Sequence, residues 1–352
     1  CILSTREHER QMESGFSVLS SAGIARRPSL GCRGRGRPSA RRAQRHSSQS
    51  PYPRQQNRPL PKNGKTAPQH VFPDHLAPTI DGDLGDWDIV GDPYIIRSSQ
   101  LYDLINSEVG VVDADDFSGR LMVGWNKTAN KLYIAAQIRD DVHQIDRPVG
   151  SAGSLIFQDD AMELFIDADH SGGQYANFTD LTAEDQLRRN GAAANHFVLA
   201  GPPPDEDFFI NFSAAAWYAL EDGPYTRAAI EFTGVLGGTG VTNYEIMLVP
   251  FDSVDMNAVF QSREHTLVEN EIIGFNVEFN DFDASSDLFD AKWSLSGQLN
   301  SFRFSDRFAD LILTPLEGIF QPTIVGNRSW GNLKASLHPR MDVPLSTQGI
   351  ER

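Results

Sequence analysis

Residues 159–167 alternate strictly: Met162, Leu164 and Ile166 fall on one side of an extended chain, and Glu163 falls on the other, between clustered carboxylates. Residues two apart share a face of a strand, so the pattern predicts a β-strand with one apolar face and a lone acid aimed away from it. The same period runs through Leu121, Val123 and Trp125, turns at Asn126–Asn130, and resumes at Leu132, Ile134, Ala136 and Ile138, which predicts a hairpin. Further strands are predicted near Asn195–Ala200, Ala228–Phe232, Tyr244–Val249, Gly274–Phe279, Trp293–Leu295 and Leu311–Thr314. Turn residues cluster at Ser171–Gly173, Gly201–Pro204 and Gly237–Gly240, and helical periodicity is confined to a short stretch at Ala183–Asn190. Many short strands without regular strand–helix alternation predict an all-β fold, an antiparallel β-sandwich of jelly-roll or immunoglobulin-like kind.

Charge divides the chain. Residues 1–73 carry 14 Lys and Arg against 3 Asp and Glu, whereas residues 74–352 carry 17 against 44. The first segment, with Arg33-Gly-Arg-Gly-Arg37 and no acid after Glu13, has too little apolar surface to fold and is expected to be a disordered basic arm. A transit peptide, a nucleic-acid-binding arm and a non-native extension are its competing readings, and no apolar core of a secretory signal follows Met12. Residues 74–318 are expected to form the sandwich and 319–352 a tail; Trp330 in that tail has no physical account. Both cysteines, Cys1 and Cys32, lie in the arm, so the folded part offers no thiol chemistry. The acidic surface argues against nucleic acid as a partner of the folded part, and no apolar run is long enough to span a membrane.

Ile80-Asp-Gly-Asp-Leu-Gly-Asp-Trp87 is followed by a strand ending in Trp125, Leu132-Tyr-Ile-Ala-Ala leading to Arg139-Asp-Asp141, and Asp160-Ala-Met-Glu163. Tyr244-Glu245, Pro250-Phe251, Gly274-Phe-Asn-Val277 and Asn280-Asp-Phe-Asp283 complete the series. Over roughly residues 78–314 this order resembles family 9 carbohydrate-binding modules. The resemblance implies a secreted or surface-exposed sandwich that binds mono-, oligo- or polysaccharides without cleaving them, often alongside glycan breakdown or cell-surface attachment. It also implies that Phe157 stacks on a sugar ring, that Glu163 accepts hydrogen bonds from hydroxyls, and that Trp293 supplies a second ring. Asn195 or His196 would stand where relatives can present an Arg and an amide. Aromatic surface would supply affinity and the polar group orientation. The structural alternatives are packing roles for Phe157 and Trp293 and an Arg139 partner for Glu163. Trp87 and Trp125 read as core.

Asp167-x-Asp169-x-Ser171-Gly172 matches the first half of a calcium loop, but Phe178 stands where its last carboxylate belongs. Asp281-x-Asp283-x-Ser285, with Asp287 beyond, repeats the alternating oxygens, and Asp113, Asp115 and Asp116 form a third acidic group. A structural Ca²⁺ is therefore expected, in keeping with the resemblance. Asp159/Asp160 and Asp140/Asp141 are poor acid/base pairs, because neighbouring strand residues point to opposite faces; no enzyme activity is expected. A haem-binding sandwich is the rival reading, with Met122, Met162 or Met247 and His196 or Lys292 as ligands; an adhesion domain without a ligand is a third. His143, His170, His196 and His265 read as surface residues. Asn126, Asn177, Asn211 and Asn327 begin glycosylation sequons.

Overall fold

The computed structural model describes residues 66–316, apart from 112, 149–152, 203–206 and 285–287. The predicted tail, most of the predicted arm, Cys1, Cys32, Ser285, Asp287, Asn327 and Trp330 lie outside the described residues. One sheet contains β1 (Thr66–Pro68), β4 (Tyr102–Asp103), β7 (Ala161–Asp167), β8 (Asn195–Ala200), β9 (Asp207–Asn211), β14 (Ile272–Asp281), β15 (Ala291–Ser294) and β16 (Ala309–Ile312). Its order is β1-β16-β14-β7-β8-β9, with β15 on the far end of β14 and β4 beside β15. The second sheet runs β10 (Thr226–Gly234), β11 (Gly240–Leu248), β6 (Lys131–Asp140), β5 (Phe117–Asn126), β2 (His70–Val71), with β3 (Ile95–Arg97) also on β5. A ribbon of β12 (Phe251–Ser253) and β13 (Arg263–Glu264) stands apart, and the described α-helix is α1 (Ala183–Arg189).

The sandwich is antiparallel except for two N-terminal pairs, β1 with β16 and β2 with β5. Those pairs lie inside the stretch read as the basic arm. Phe72, 1% exposed, explains why residues 66–73 join the fold. It packs on Trp87 and Tyr133 on the outer face of the second sheet. Gly124 of β5 makes room for it, since a Cβ there would lie 2.2 Å from the Phe72 ring. Each of the two strands has three residues or fewer, too short for a period to register in sequence.

Between the sheets, Leu121, Val123, Ile134, Ala136 and Ile246 face Met162, Leu164, Ile166, Phe275 and Val277, all 1% exposed or less. Phe117 of β5 stacks on Trp293 of β15 at 5.8 Å and tilts against Phe279 of β14, joining the layers at one end. The core reading of Trp87 and Trp125 agrees with their exposures of 1% and 0%. Asn126, Asn177 and Asn211 are buried as well, and Asn126 donates to the Phe72 carbonyl and to Asp74. Among the described residues no helix is long and apolar enough to cross a membrane.

The histidines depart from expectation. His143, His196 and His265 are 2%, 1% and 8% exposed, and His170 bonds Asp310. His265 ties the β12–β13 ribbon to the entry of β14: its Nδ1 lies 2.5 Å from Asp252 and its Nε2 3.2 Å from Glu271. Arg263 donates to the other oxygen of Asp252. Burial alone would lower the pKa of His265, but the two carboxylates raise it from 6.5 to about 9. Because the folded value is the higher one, this clip stabilises fully below pH 6.5 and is lost as pH rises through about 9. Urea denaturation of wild type and His265→Gln from pH 5.5 to 9.5 should therefore show a gap in stability that is widest at the acid end and closes at the alkaline end.

Candidate functional site

Strand β7 carries its acid where the sequence places it, but that face is covered. Register pairs Glu163 with Glu278 on β14 and with Val198 on β8. Two carboxylates side by side repel, and Lys292 from β15 separates them. Its Nζ lies 2.6 Å from Glu163 Oε1 and 3.3 Å from Glu278 Oε2. Asn280 Nδ2 donates to Glu163 Oε1 at 2.9 Å, and His196 Nε2 stands 2.7 Å from Oε2. Glu163, Glu278, Lys292, His196 and Asn280 are all 4% exposed or less. Burial would raise the Glu163 pKa, but the Lys292 ammonium and His196 hold it well below the usual range. Burial raises Glu278 despite Lys292. For Lys292 burial opposes the charge, and the two glutamates more than offset it. Glu163 is thus fully engaged by protein donors, with Lys292 and His196 in place of the Arg139 considered from sequence; Arg139 donates to the Ala114 and Asp115 carbonyls.

Two rings meet this polar floor. Phe157, in the 3₁₀ turn Gly153–Gln158, packs with Ile145, Ile156, Val198 and Ala200, and the partly exposed Phe209 and Phe289 lie against the same cluster. Asn280 Nδ2 also donates to the Phe157 carbonyl at 2.9 Å. Lys292 Nζ lies over the Phe289 ring, 5.1 Å from its centroid. The floor therefore fixes both Phe157 and Phe289.

Trp293 does not share this face. Register sets it opposite Phe279, which in turn faces Met162, so it points between the sheets while Lys292 points to Glu163. Trp293 is 4% exposed, stacked on Phe117, with its Nε1 3.3 Å from Asp281 Oδ2. The predicted clamp of Phe157 and Trp293 is thereby corrected: Trp293 lies between the sheets, and the ring that packs against the Phe157 cluster is Phe289. Asn195 is likewise turned away, paired with Ile166 and donating to the Gly191 carbonyl. His196 is on the Glu163 face but buried, its ring stacked on Phe165 at 4.2 Å. The haem ligand sets fail on the same parity. Met162 faces the core, Met122 and Met247 lie on the outer face of the second sheet, and His196 and Lys292 are bound to Glu163.

A second charged group gathers at one end of the sandwich. Carboxylate oxygens of Asp116, Asp141 and Asp283 lie within 4.8 Å of one another, as do those of Asp140, Asp281 and Asp283. Asp140, His143 and Asp160 form a third set at the same spacing. A cleft of about 150 Å³ opens here, lined by Asp103, Glu108, Asp116, Asp281, Asp290 and Trp293 among others, with no basic side chain among its described lining residues. Burial, then Asp140 and Asp160, push Asp281 up to about 9. Burial and Asp160 push Asp140 to about 8, and burial and Asp290 push Asp283 to about 6. Clustered hard oxygen donors are the kind of group that suits Ca²⁺.

The other expected calcium loop is a hydrogen-bonded turn. Asp167 accepts from the Ser171 and Gly172 amides at 3.0 and 2.8 Å, and Asp169 accepts from the Ser171 amide and faces Arg263. Asp167, Asp169 and Ser171 thus knit a hydrogen-bonded turn, in which the Ser171 hydroxyl also lies 3.4 Å from Asp167 Oδ1. The paired acids considered for catalysis are also separated in role. Asp159 pairs with Arg147, while Asp160 accepts from the Gln144 and Phe282 amides.

A model of the carbohydrate family 9 binding domain-like family matches residues 98–313. Among solved structures, a carbohydrate-binding module of family 9 from Caldicellulosiruptor kristjanssonii in complex with cellotriose is 14% identical. The likeness covers 74% of this chain and 99% of that one, with a TM-score of 0.45. A module of that family from the same organism in complex with glucose is also 14% identical, covering 73% and 100%, with a TM-score of 0.43. No curated protein matches. With more than half of its length matched by the family model, the chain belongs to the carbohydrate family 9 binding domain-like family.

Proposed function

We propose that this domain binds carbohydrate, without cleaving it, on the outer face of the first sheet where Phe157 and Phe289 meet the Glu163–Lys292 floor. The observation that carries the reading is that Phe157 and Phe289 lie in one apolar cluster beside this network, where Asn280 holds the Phe157 backbone carbonyl and Lys292 lies over the Phe289 ring. Sugar rings present apolar C–H faces that stack on aromatic planes, while rigid, pre-ordered rings lose little entropy on binding. Glu163 serves here mainly by position: it holds Asn280 and Lys292, which hold Phe157 and Phe289. The ligand class is a neutral mono- or oligosaccharide or the end of a polysaccharide, and the module would work outside the cell or at its surface. The family membership and the relatives solved with cellotriose and glucose support this reading.

A panel of neutral oligosaccharides that includes cellotriose and glucose, read by calorimetry, tests it. Phe289→Ala and Phe157→Ala should each weaken binding by tenfold or more, about 1.4 kcal/mol. Trp293→Phe, which changes the core side of the sheet, should leave affinity within about twofold. No binding to any sugar, or loss of binding only with Trp293→Phe, rejects the site.

The floor makes a separate prediction about stability. Removing the ammonium leaves Glu163 and Glu278 facing each other in a dry environment, so Lys292→Met should destabilise by about 3–5 kcal/mol. Adding Glu163→Gln to Lys292→Met should recover part of that loss, giving a coupling energy of about 1 kcal/mol or more in a double-mutant cycle followed by urea denaturation.

A further inference from the structure

The outer face of the second sheet is covered where Leu84, Trp87 and Val90 pack on Met122, Tyr133 and Met247. Past them, register sets Arg97 of β3, Arg120 of β5, Gln137 of β6, Asn243 of β11 and Glu231 of β10 in one row across five strands. Residues directly opposite one another share a face, and Met122, two positions from Arg120, marks that face as the outer one. The next row adds Ser118 and Arg139. All of these side chains are half-buried or exposed, so the strip forms a polar surface beside the covered apolar one.

Arg120 is out of keeping with this setting. It stands directly opposite Arg97 on one side and the neutral Gln137 on the other, and like charges placed so repel. Its Nε is buried without a hydrogen-bond partner, and its side chain has no ion pair or ring contact among the described residues. The other described arginines each meet a carboxylate, a carbonyl, an amide or a ring. Arg97 has Asp92 at 3.1 Å, but both are exposed, and such a pair is worth little. An unmatched, half-buried guanidinium is costly, and a carboxylate that takes its N–H donors in pairs offsets that cost.

The neighbours of Arg120 narrow the class of anion. Gln137 Nε2 donates to Asn243 Oδ1 at 3.1 Å, and Asn243 Nδ2 donates to the Gly82 carbonyl at 3.1 Å, so neutral amides stand in fixed orientation beside the cation. Amides and the Ser118 hydroxyl suit the hydroxyls of a sugar. Residues 74–352 carry 44 acids against 17 bases, which repels polyanions at long range. A short chain with a single carboxylate fits; a nucleic acid or a densely sulfated polymer does not.

We propose that this strip binds an acidic saccharide, with Arg120 taking the carboxylate of a uronic acid unit and Arg97, Gln137 and Ser118 meeting its other oxygens. The site lies on the opposite sheet from Phe157 and Phe289 and stands whether or not that surface binds sugar.

Cellotriose and its counterpart with one terminal C6 oxidised to a carboxylate differ only in that charge. Calorimetry on Phe289→Ala, which disables the other surface, should show the acidic sugar binding about fivefold or more tighter than cellotriose, by an advantage that shrinks as salt is raised. Adding Arg120→Gln should erase the advantage, and Arg120→Lys, which keeps the charge but not the planar fork, should retain part of it. The melting temperature of Arg120→Gln should equal or exceed that of the wild type, because the substitution removes a repulsion. A fall in melting temperature shows a guanidinium already matched in the free protein and overturns the proposal. Equal affinity for the two sugars, or an advantage that survives Arg120→Gln, also overturns it. If inorganic sulfate binds as tightly as the acidic sugar and Arg120→Gln abolishes both, the strip is a bare anion site and the saccharide assignment falls. If Phe289→Ala leaves cellotriose binding intact, the Phe157–Phe289 assignment falls, and the carboxylate-dependent advantage decides the Arg120 site by itself.

Discussion

The Lys292 ammonium between Glu163 and Glu278 is the interaction on which the arrangement of the first sheet turns. Register sets the two carboxylates directly opposite each other on β7 and β14, and a dry, like-charged pair would force the strands apart or one acid to take up a proton. Lys292 answers both at once, 2.6 and 3.3 Å away, and Asn280 and His196 complete the shell. The network exists in one register only. A slip of a single residue would carry Glu163 into the layer of Met162 and Leu164, so a costly buried ion group here specifies pairing as much as it stabilises it.

From that register the two faces of the sheet follow. Lys292 and Trp293 are neighbours on β15, and so are Asn280 and Asp281 at the end of β14; in each pair one side chain enters the polar floor and the other the layer between the sheets. One short piece of structure thus feeds two charged clusters of opposite character. The floor has its own counter-ion: the Lys292 ammonium lies between its two carboxylates. The acidic end has none among the described residues, because Asp281, Asp140 and Asp283 answer one another, and burial compounds the repulsion. A charge group with its own counter-ion builds a rigid platform, whereas one without it holds its protons to higher pH.

Much of this was legible in the sequence where the signal was local. The alternation around Glu163 located β7 and its apolar face, the hairpin at Asn126–Asn130 was found, and the helix at Ala183–Arg189 was found within a residue. The acid clustering at Asp281 and Asp283 pointed to the end of the sandwich that gathers carboxylates. What failed was parity across a turn. Nothing in the chain states that Trp293 pairs with Phe279 rather than with Asn280, and that single offset decides whether an indole joins Glu163 or the core. Phe289 was passed over because it sits outside any strand, next to acids. Lys292 carries a signal that went unused: a lone cation between Ala291 and Trp293 in an apolar strand calls for a buried anion, and Glu163 and Glu278 supply it. The histidines misled for a related reason, since a ring nitrogen paired to a buried acid looks in sequence like any other polar residue.

The opening motif shows the opposite case, in which separated residues carry one physical meaning. Glu245 on β11 faces outward from the second sheet, away from the core, where an acid would ordinarily be exposed. It is 0% exposed because the segment Asp81–Trp87 folds over it. The Asp81 and Gly82 amides donate to one oxygen at 3.0 Å each, and the Trp87 indole donates to the other at 2.8 Å. Gly82 adopts φ of 85°, a left-handed conformation that glycine takes without strain, and a Cβ there would lie 3.0 Å from Glu231. The Ile-Asp-Gly turn, the tryptophan and the Tyr-Glu pair more than 150 residues away are therefore one hydrogen-bonded clip. Its function is to hold Leu84, Trp87 and Val90 onto Met122, Tyr133 and Met247, closing that part of the outer face of the second sheet.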